Sequence, residues 1–215
     1  HMSSPSYDWI AHHALVRGDK LAVHDLDSGR KFTYTEMNER TSRLATALRS
    51  EFNIDRGDRV AVLAENDSNT LEVQFACGKL GAIFVPLNWR LTIPELEYIV
   101  GDAEPTVLFH DDALSEQSIK LSQICNISHR VTWGRSIEEA AAYEEVLALH
   151  EPMDTCVECT HDDPVTIMYT SGTTGRPKGV IITQGMTFWN AVNCVEFYSL
   201  SESMINIVFL PLFHT

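Results

Sequence analysis

The 215-residue sequence predicts an α/β fold, a mostly parallel β-sheet with flanking helices. Two observations predict it. Short apolar runs alternate with stretches whose apolar residues recur at helical spacing, which is the pattern of βαβ units. Late in the chain a loop rich in glycine and hydroxyl side chains, Thr170 to Gly179, directly follows a strand-like run. Its backbone N–H groups are suited to meet an anion. A hydrophobic content of 44% with 21% charged residues is that of an ordinary soluble domain.

Residues 1–5 read as an expression-tag scar and disordered start, and 6–215 as part of one large domain. Phe32 to Tyr34 is a short strand. Thr35 caps a helix running to about Glu51, with Met37, Leu44, Ala45 and Leu48 on one face. Asp55 to Asp58 is a turn, and Arg59 to Ala64 a buried strand. Asn69 or Thr70 opens a second helix that turns Leu71, Phe75 and Leu80 inward. Ile83 to Val85 is a strand stopped by Pro86, Ile93 to Val100 a helix, and Thr106 to Phe109 a strand. From about 111 to 163 the pattern weakens into a less regular connecting region. It contains a helical run between Ser136 and His150 and an acidic connector. Val165 to Tyr169 is then a strand, Thr183 to about Tyr198 a helix, and Ile205 to Leu210 a last strand.

Charge and cysteine usage exclude several classes of function. The net charge of −14 argues against nucleic acid or an acidic membrane surface as partner, since both need basic patches. No apolar run approaches the roughly 18 residues of a transmembrane helix, and no secretory pattern opens the chain. Five cysteines at irregular spacing read as reduced thiols in a cytoplasmic protein. Cys156 and Cys159 have C-x-x-C spacing with His161 nearby, but no second ligand pair is present at the expected distance. They also lack the strand-to-helix setting of a redox motif. Asn126-Ile127-Ser128 matches a glycosylation sequon by chance, and His12-His13 reads as surface.

The loop carries the chemistry. Thr170, Ser171, Gly172, Thr173, Thr174, Gly175, Arg176, Pro177, Lys178 and Gly179 combine three glycines, four hydroxyl side chains and one lysine. Glycines let backbone N–H groups approach a phosphate, hydroxyls add hydrogen bonds, and lysine adds a compact positive charge. Composition alone leaves two alternatives open, a polyphosphate cradle and a flexible polar turn. A Walker A loop starting at Gly172 would place Lys178 correctly. It fails at Pro177, which lacks a donor, and at Gly179, where a magnesium-binding hydroxyl is required.

Tyr169 to Gly179 as a whole resembles the signature of the adenylate-forming superfamily, which includes acyl-CoA synthetases, adenylation domains and luciferases. Gly78 to Asn88 is similar to that family's earlier core motif. Asn88-Trp89-Arg90-Leu91 with Glu95-Leu96 resembles its acyl-CoA ligases, and Leu210 to Thr215 resembles its next motif. One position departs: Gln184 comes after Thr183 where members often have histidine. The resemblance implies an incomplete part of the large N-terminal domain, with the C-terminal domain absent.

It implies a reaction as well. A carboxylic acid would attack the α-phosphorus of ATP to give an acyl-adenylate and pyrophosphate. Coenzyme A would then take the acyl group. Thr170, Ser171, Gly172, Thr173, Thr174, Gly175 and Lys178 would hold the leaving phosphates. Thr173 would also contact Mg2+, and His214 would line the acyl pocket. Fatty or aromatic acids are the implied substrates. The magnesium-binding glutamate and catalytic lysine of such enzymes lie downstream of the His214 motif. No catalytic residue is therefore assigned within these residues, and the chain alone is expected to be inactive. Two alternatives stand beside this: a truncated, non-catalytic nucleotide-binding relative, and an adenylation domain feeding a carrier protein. Phe188 and Trp189 are read as core, and Trp89 and Arg90 as structural, with a groove-facing Arg90 as the alternative.

Overall fold

The computed structural model describes residues 7–134, 140–153, 156–170 and 176–214. Helix α1 (Trp9–Arg17) and a two-stranded antiparallel ribbon, β1 (Leu21–His24) with β2 (Lys31–Thr33), open the chain. Sequence pattern assigns no element before Phe32. Strand β2 overlaps the short strand expected at Phe32 to Tyr34, whereas β1 is short and exposed at both ends, so its apolar alternation is faint.

The main sheet has seven strands: β3 (Arg59–Leu63), β4 (Ile83–Pro86), β5 (Val107–His110), β6 (His129–Thr132), β7 (Ala141–Ala142), β8 (Pro164–Thr170) and β9 (Lys178–Thr183). The spatial order is β7-β6-β5-β3-β4-β8-β9. Every pair is parallel except the β8–β9 hairpin. Helices α2 (Tyr34–Ser50), α3 (Ser68–Leu80) and α6 (Tyr143–Ala148) share a core with one face of the sheet. Helices α4 (Ile93–Ala103) and α5 (Ser115–Cys125) cover the other. Helix α7 (Gln184–Phe197) comes directly after β9.

Strand periodicity sorts the two cores. Val60 and Val62 of β3 pack with α2 and α3, while Ala61 and Leu63 pack with α4 and α5. Phe84 and Val85 of β4 divide in the same way, as do Phe109 and Leu108 of β5. All of these side chains are buried, which explains the continuous apolar runs of a doubly covered parallel sheet.

Helix α2 begins one residue before the expected cap. Thr33 is the N-cap: its Oγ1 accepts the Glu36 N–H at 3.2 Å, and Glu36 Oε2 accepts the Thr33 N–H at 2.7 Å. Helix α3 begins after Asp67, whose carboxylate accepts the Asn69 N–H at 2.6 Å. It ends at Gly81, with φ +68°, a C-cap conformation that glycine adopts without strain. Pro86 is the last residue of β4, so the strand stops there as expected, with the proline itself in the ladder. The ladder tolerates it because the next donor, the Leu87 N–H, reaches Val62 O at 2.8 Å.

Three stretches differ more. Helix α5, strands β6 and β7 and helix α6 lie in the region read as less regular. Of the run read as helical between Ser136 and His150, residues 136–139 lie outside the described residues, Ala141 and Ala142 pair with Val131 and Thr132, and helix spans Tyr143–Ala148. Lys178 and Gly179, read as loop, begin β9. Ile205 to Leu210 forms no strand. Strand geometry needs a neighbour for its backbone groups, and no described strand lies beside this segment. Among the described residues, no helix is long and apolar enough to cross a membrane.

Buried charges tie the layers. Lys79 Nζ lies 2.8 Å from Asp8 Oδ2 and 2.8 Å from Asn38 Oδ1, joining α3 to the start of α1 and to α2. Glu72, fully buried, accepts from Arg40 Nε at 3.0 Å and from Tyr143 Oη at 2.6 Å. Arg40 also reaches Glu144 at 2.7 Å.

The caps make stability depend on pH. The Thr33 backbone N–H, then its hydroxyl, hold the Glu36 carboxyl below the ordinary glutamate range. The Thr92 hydroxyl, then its N–H, do the same for Glu95 at the start of α4. A carboxyl whose folded pKa is depressed stabilises the fold above its unfolded value, about 4.3, and loses that contribution as pH falls. The urea midpoint should therefore decline between about pH 5 and about pH 3. The double variant Glu36→Gln, Glu95→Gln should decline less steeply over that window. An unchanged slope would remove the capping carboxyls as its cause.

Candidate active site at the carboxyl edge of the sheet

Strands β3, β4 and β8 are neighbours and parallel, so the segments leaving their carboxyl ends gather on one edge. After β3 come Ala64, Glu65 and Asn66; after β4 come Leu87 to Arg90; after β8 comes the glycine-rich loop. The helices after β3 and β4 leave to opposite faces, α3 to one core and α4 to the other. In an open α/β sheet that reversal leaves a crevice outside the carboxyl ends, where ligands bind.

The glycine-rich loop is the turn of the β8–β9 hairpin. Thr170 and Lys178 stand directly opposite in the register, and both are exposed. Ser171, Gly172, Thr173, Thr174 and Gly175 lie outside the described residues. The loop therefore runs from strand to antiparallel strand. A Walker loop runs from strand to helix, so the two differ in backbone as well as in residues.

The base of the hairpin shows why the motif carries tyrosine and glycine at its ends. Tyr169 pairs with Gly179 across the ladder. A Cβ at Gly179 would stand 3.2 Å from Tyr169 Cζ and 3.0 Å from Ile167 Cγ2. The ring thus lies over the bare glycine backbone. Tyr169 Oη donates to Asp102 Oδ2 of α4 at 2.6 Å. Burial first, and then that carboxylate, push the phenol pKa up, so the hydroxyl stays a donor. These residues border a cavity of about 250 Å³ with Arg59 and Ile181. A second cavity of about 380 Å³ lies against Arg40, Arg43 and Glu144, away from the loop.

Two cations flank the crevice beside Lys178. The Arg176 guanidinium lies 5.7 Å from the Tyr98 ring centroid. That of Arg90 lies 5.0 Å from Trp89 and 5.9 Å from Phe213. Arg90 is exposed and Trp89 only half-buried, so both border the groove while Trp89 also packs on the α4 core. His214 is exposed, and its neighbour Phe213 is buried. Phe188 packs on Trp9 and His161, but Trp189 is 59% exposed, against its reading as core.

Asn66 gave no sequence signal beyond that of a turn residue. Its carboxamide donates to Leu210 O at 2.8 Å and accepts the Leu212 N–H at 2.9 Å. Asp102 was missed for the same reason: its partner lies 67 residues away. Cys156 and Cys159 are free thiols, and burial pushes the Cys159 thiol pKa up. His161 contacts the Tyr7 hydroxyl. Among the described residues, no group of three or more His, Cys, Asp or Glu is placed to hold a metal.

The sequence pattern of the AMP-binding enzyme family matches residues 10–215. This chain belongs to the AMP-binding enzyme family. It is 40% identical over 206 residues to a feruloyl-CoA synthase of an Amycolatopsis species, covering 96% of this chain and 39% of that protein. It is 33% identical over 208 residues to an indoleacetate–CoA ligase of Aromatoleum aromaticum, covering 96% of this chain and 40% of that one. Apo MatB from Rhodopseudomonas palustris superposes with a TM-score of 0.83 at 25% identity, over 99% of this chain and 41% of that one. The AMP-binding chain thus spans about two-fifths of the length of its curated relatives.

The tyrosine–glycine pair makes a specific forecast for the β8–β9 hairpin. Gly179→Ala should destabilise the chain by about 1–3 kcal/mol in urea denaturation, the range for overpacking. In a Tyr169→Ala background the same change should cost less, because the ring contact at 3.2 Å is gone and only the Ile167 methyl at 3.0 Å remains. Equal costs in both backgrounds would show that the ring is not the obstacle.

Proposed function

We propose that the full-length protein containing this chain activates a carboxylic acid with ATP and passes the acyl group to coenzyme A. One observation carries this: the hairpin that sets Thr170 opposite Lys178 at the carboxyl edge of a parallel sheet, at the two ends of the signature loop. The Lys178 ammonium, the hydroxyls of Thr170, Ser171, Thr173 and Thr174, and the N–H groups of Gly172 and Gly175 hold the β- and γ-phosphates. Attack of the acid on the α-phosphorus then expels pyrophosphate, which these groups hold. Such catalysis is positioning and charge neutralisation.

Mg2+, when bound, neutralises phosphate charge, and Thr173 is the contact we assign to it in this chain. A hydroxyl with phosphate oxygens suits a hard cation. No carboxylate cluster among the described residues competes for it. His214, exposed beside Phe213 at the same edge, borders the acid. The two relatives are named for feruloyl and indoleacetate groups, both aryl-bearing acids, and we favour that class over fatty acids. The five free cysteines support a reducing, cytoplasmic setting.

Acid-dependent exchange of labelled pyrophosphate into ATP tests the reading in the full-length enzyme, with ferulate and indoleacetate among the acids. Exchange should appear with an aryl acid, and Lys178→Ala should lower it about 100-fold, the usual effect of removing one charge-stabilising group. Thioester should form when coenzyme A is added. No exchange with any acid of the panel would refute the proposal.

A further inference from the structure

Ser201 to Phe209 has no regular secondary structure and is exposed. A segment without ladder or helix partners keeps its place through its anchors. At one end Arg17 Nη2 meets Glu202 Oε1 at 3.0 Å, and Lys20 donates to the Glu202 carbonyl. At the other end the anchor is Asn66. Its Nδ2–H reaches Leu210 O at 2.8 Å, and its Oδ1 takes the Leu212 N–H at 2.9 Å. A carboxamide used at both atoms supplies one donor and one acceptor, as a peptide group of a neighbouring strand would.

Asn66 is itself held firmly. The preceding Glu65 N–H donates to Asp111 Oδ2 at 3.1 Å, and the next residue, Asp67, is the N-cap of α3. The splint thus stands between the end of the central strand and the start of a buried helix. Just beyond the splinted residues, Phe213 is buried beneath the Arg90 guanidinium and His214 is exposed at the edge.

We propose that Asn66 is a positioning residue for the acid. Its carboxamide splints Leu210 to Leu212, so that Phe213 and His214 present a fixed wall at the carboxyl edge. This rests on the acid-activating reading above. The splint belongs to the β3 side of the edge and the phosphate loop to the β8 side, with β4 between them. Loss of the splint therefore reaches the acid and spares the nucleotide.

Two variants separate the two halves of the contact. Asn66→Ala removes both hydrogen bonds. Asn66→Asp keeps the acceptor for the Leu212 N–H and sets a carboxylate oxygen against Leu210 O. In the full-length enzyme, the KM for the best aryl acid of the panel should rise about ten-fold in both variants, with the KM for ATP changed by less than about two-fold. Parallel rises in both KM values, or no rise for the acid, would overturn the proposal. Hydrogen exchange of the Leu212 amide in this 215-residue chain gives a readout independent of activity. It should accelerate about ten-fold in Asn66→Ala and stay slow in Asn66→Asp. Unchanged exchange in Asn66→Ala would overturn the splint. A wild-type enzyme that activates no acid would overturn the ligase reading and the acid's place in this one, while exchange would still decide whether the splint exists.

Discussion

Burial of β3 on both faces is the constraint on which the rest depends. Its side chains alternate between two cores, and none of Val60 to Leu63 is exposed by more than 2%. A strand so enclosed has a single register, because a slip of one residue would move every side chain to the wrong core. Its end is therefore a fixed point. Asn66, just past it, inherits that fixity, and so do the Leu87 N–H on Val62 and the start of α3. The polar chemistry of the carboxyl edge is placed by apolar packing below it.

Charge distribution leaves an acidic chain with free cations at its carboxyl edge. Much of the positive charge is neutralised away from the edge: Arg40 by Glu72 and Glu144, Arg56 by Asp163, Lys79 by Asp8. Among the described residues, Arg90, Arg176 and Lys178 enter no ion pair with a carboxylate. The contacts of Arg90 and Arg176 are with aromatic rings, which leave the charge available to an anion. A net charge of −14 reports on the whole surface, whereas binding responds to the local field at the crevice.

The sequence made legible whatever had a local cause. Strands β3, β4, β5 and β8 and helices α2, α3 and α4 announced themselves through apolar period, and the loop through its composition. What was hidden depended on partners distant in the chain. Ala141-Ala142 reads as helix because alanine favours helix; only the edge of β6 makes it a strand. Ile205 to Leu210 reads as strand because it is apolar and β-branched; only the want of a neighbour makes it irregular. The hairpin form of the loop was hidden for a related reason. Lys178 and Gly179 belong to the signature, and nothing local shows that they pair back onto Thr170 and Tyr169.

That pairing gives Gly179 a role that backbone conformation does not explain. Its φ is not among the positive values of this chain, so no left-handed turn demands glycine there. The demand comes from across the ladder, where the Ile167 methyl and the Tyr169 ring together crowd the space of a side chain. The ring in turn is held by Asp102 on α4, a helix of the sheet's second core. Tyr169 therefore joins the β8 end of the hairpin to the same packed layer that receives Leu63 of β3. The two sides of the edge, the loop after β8 and the splint after β3, stand on one continuous core. Strand β4 stands between them, so the sheet itself sets how far apart they begin.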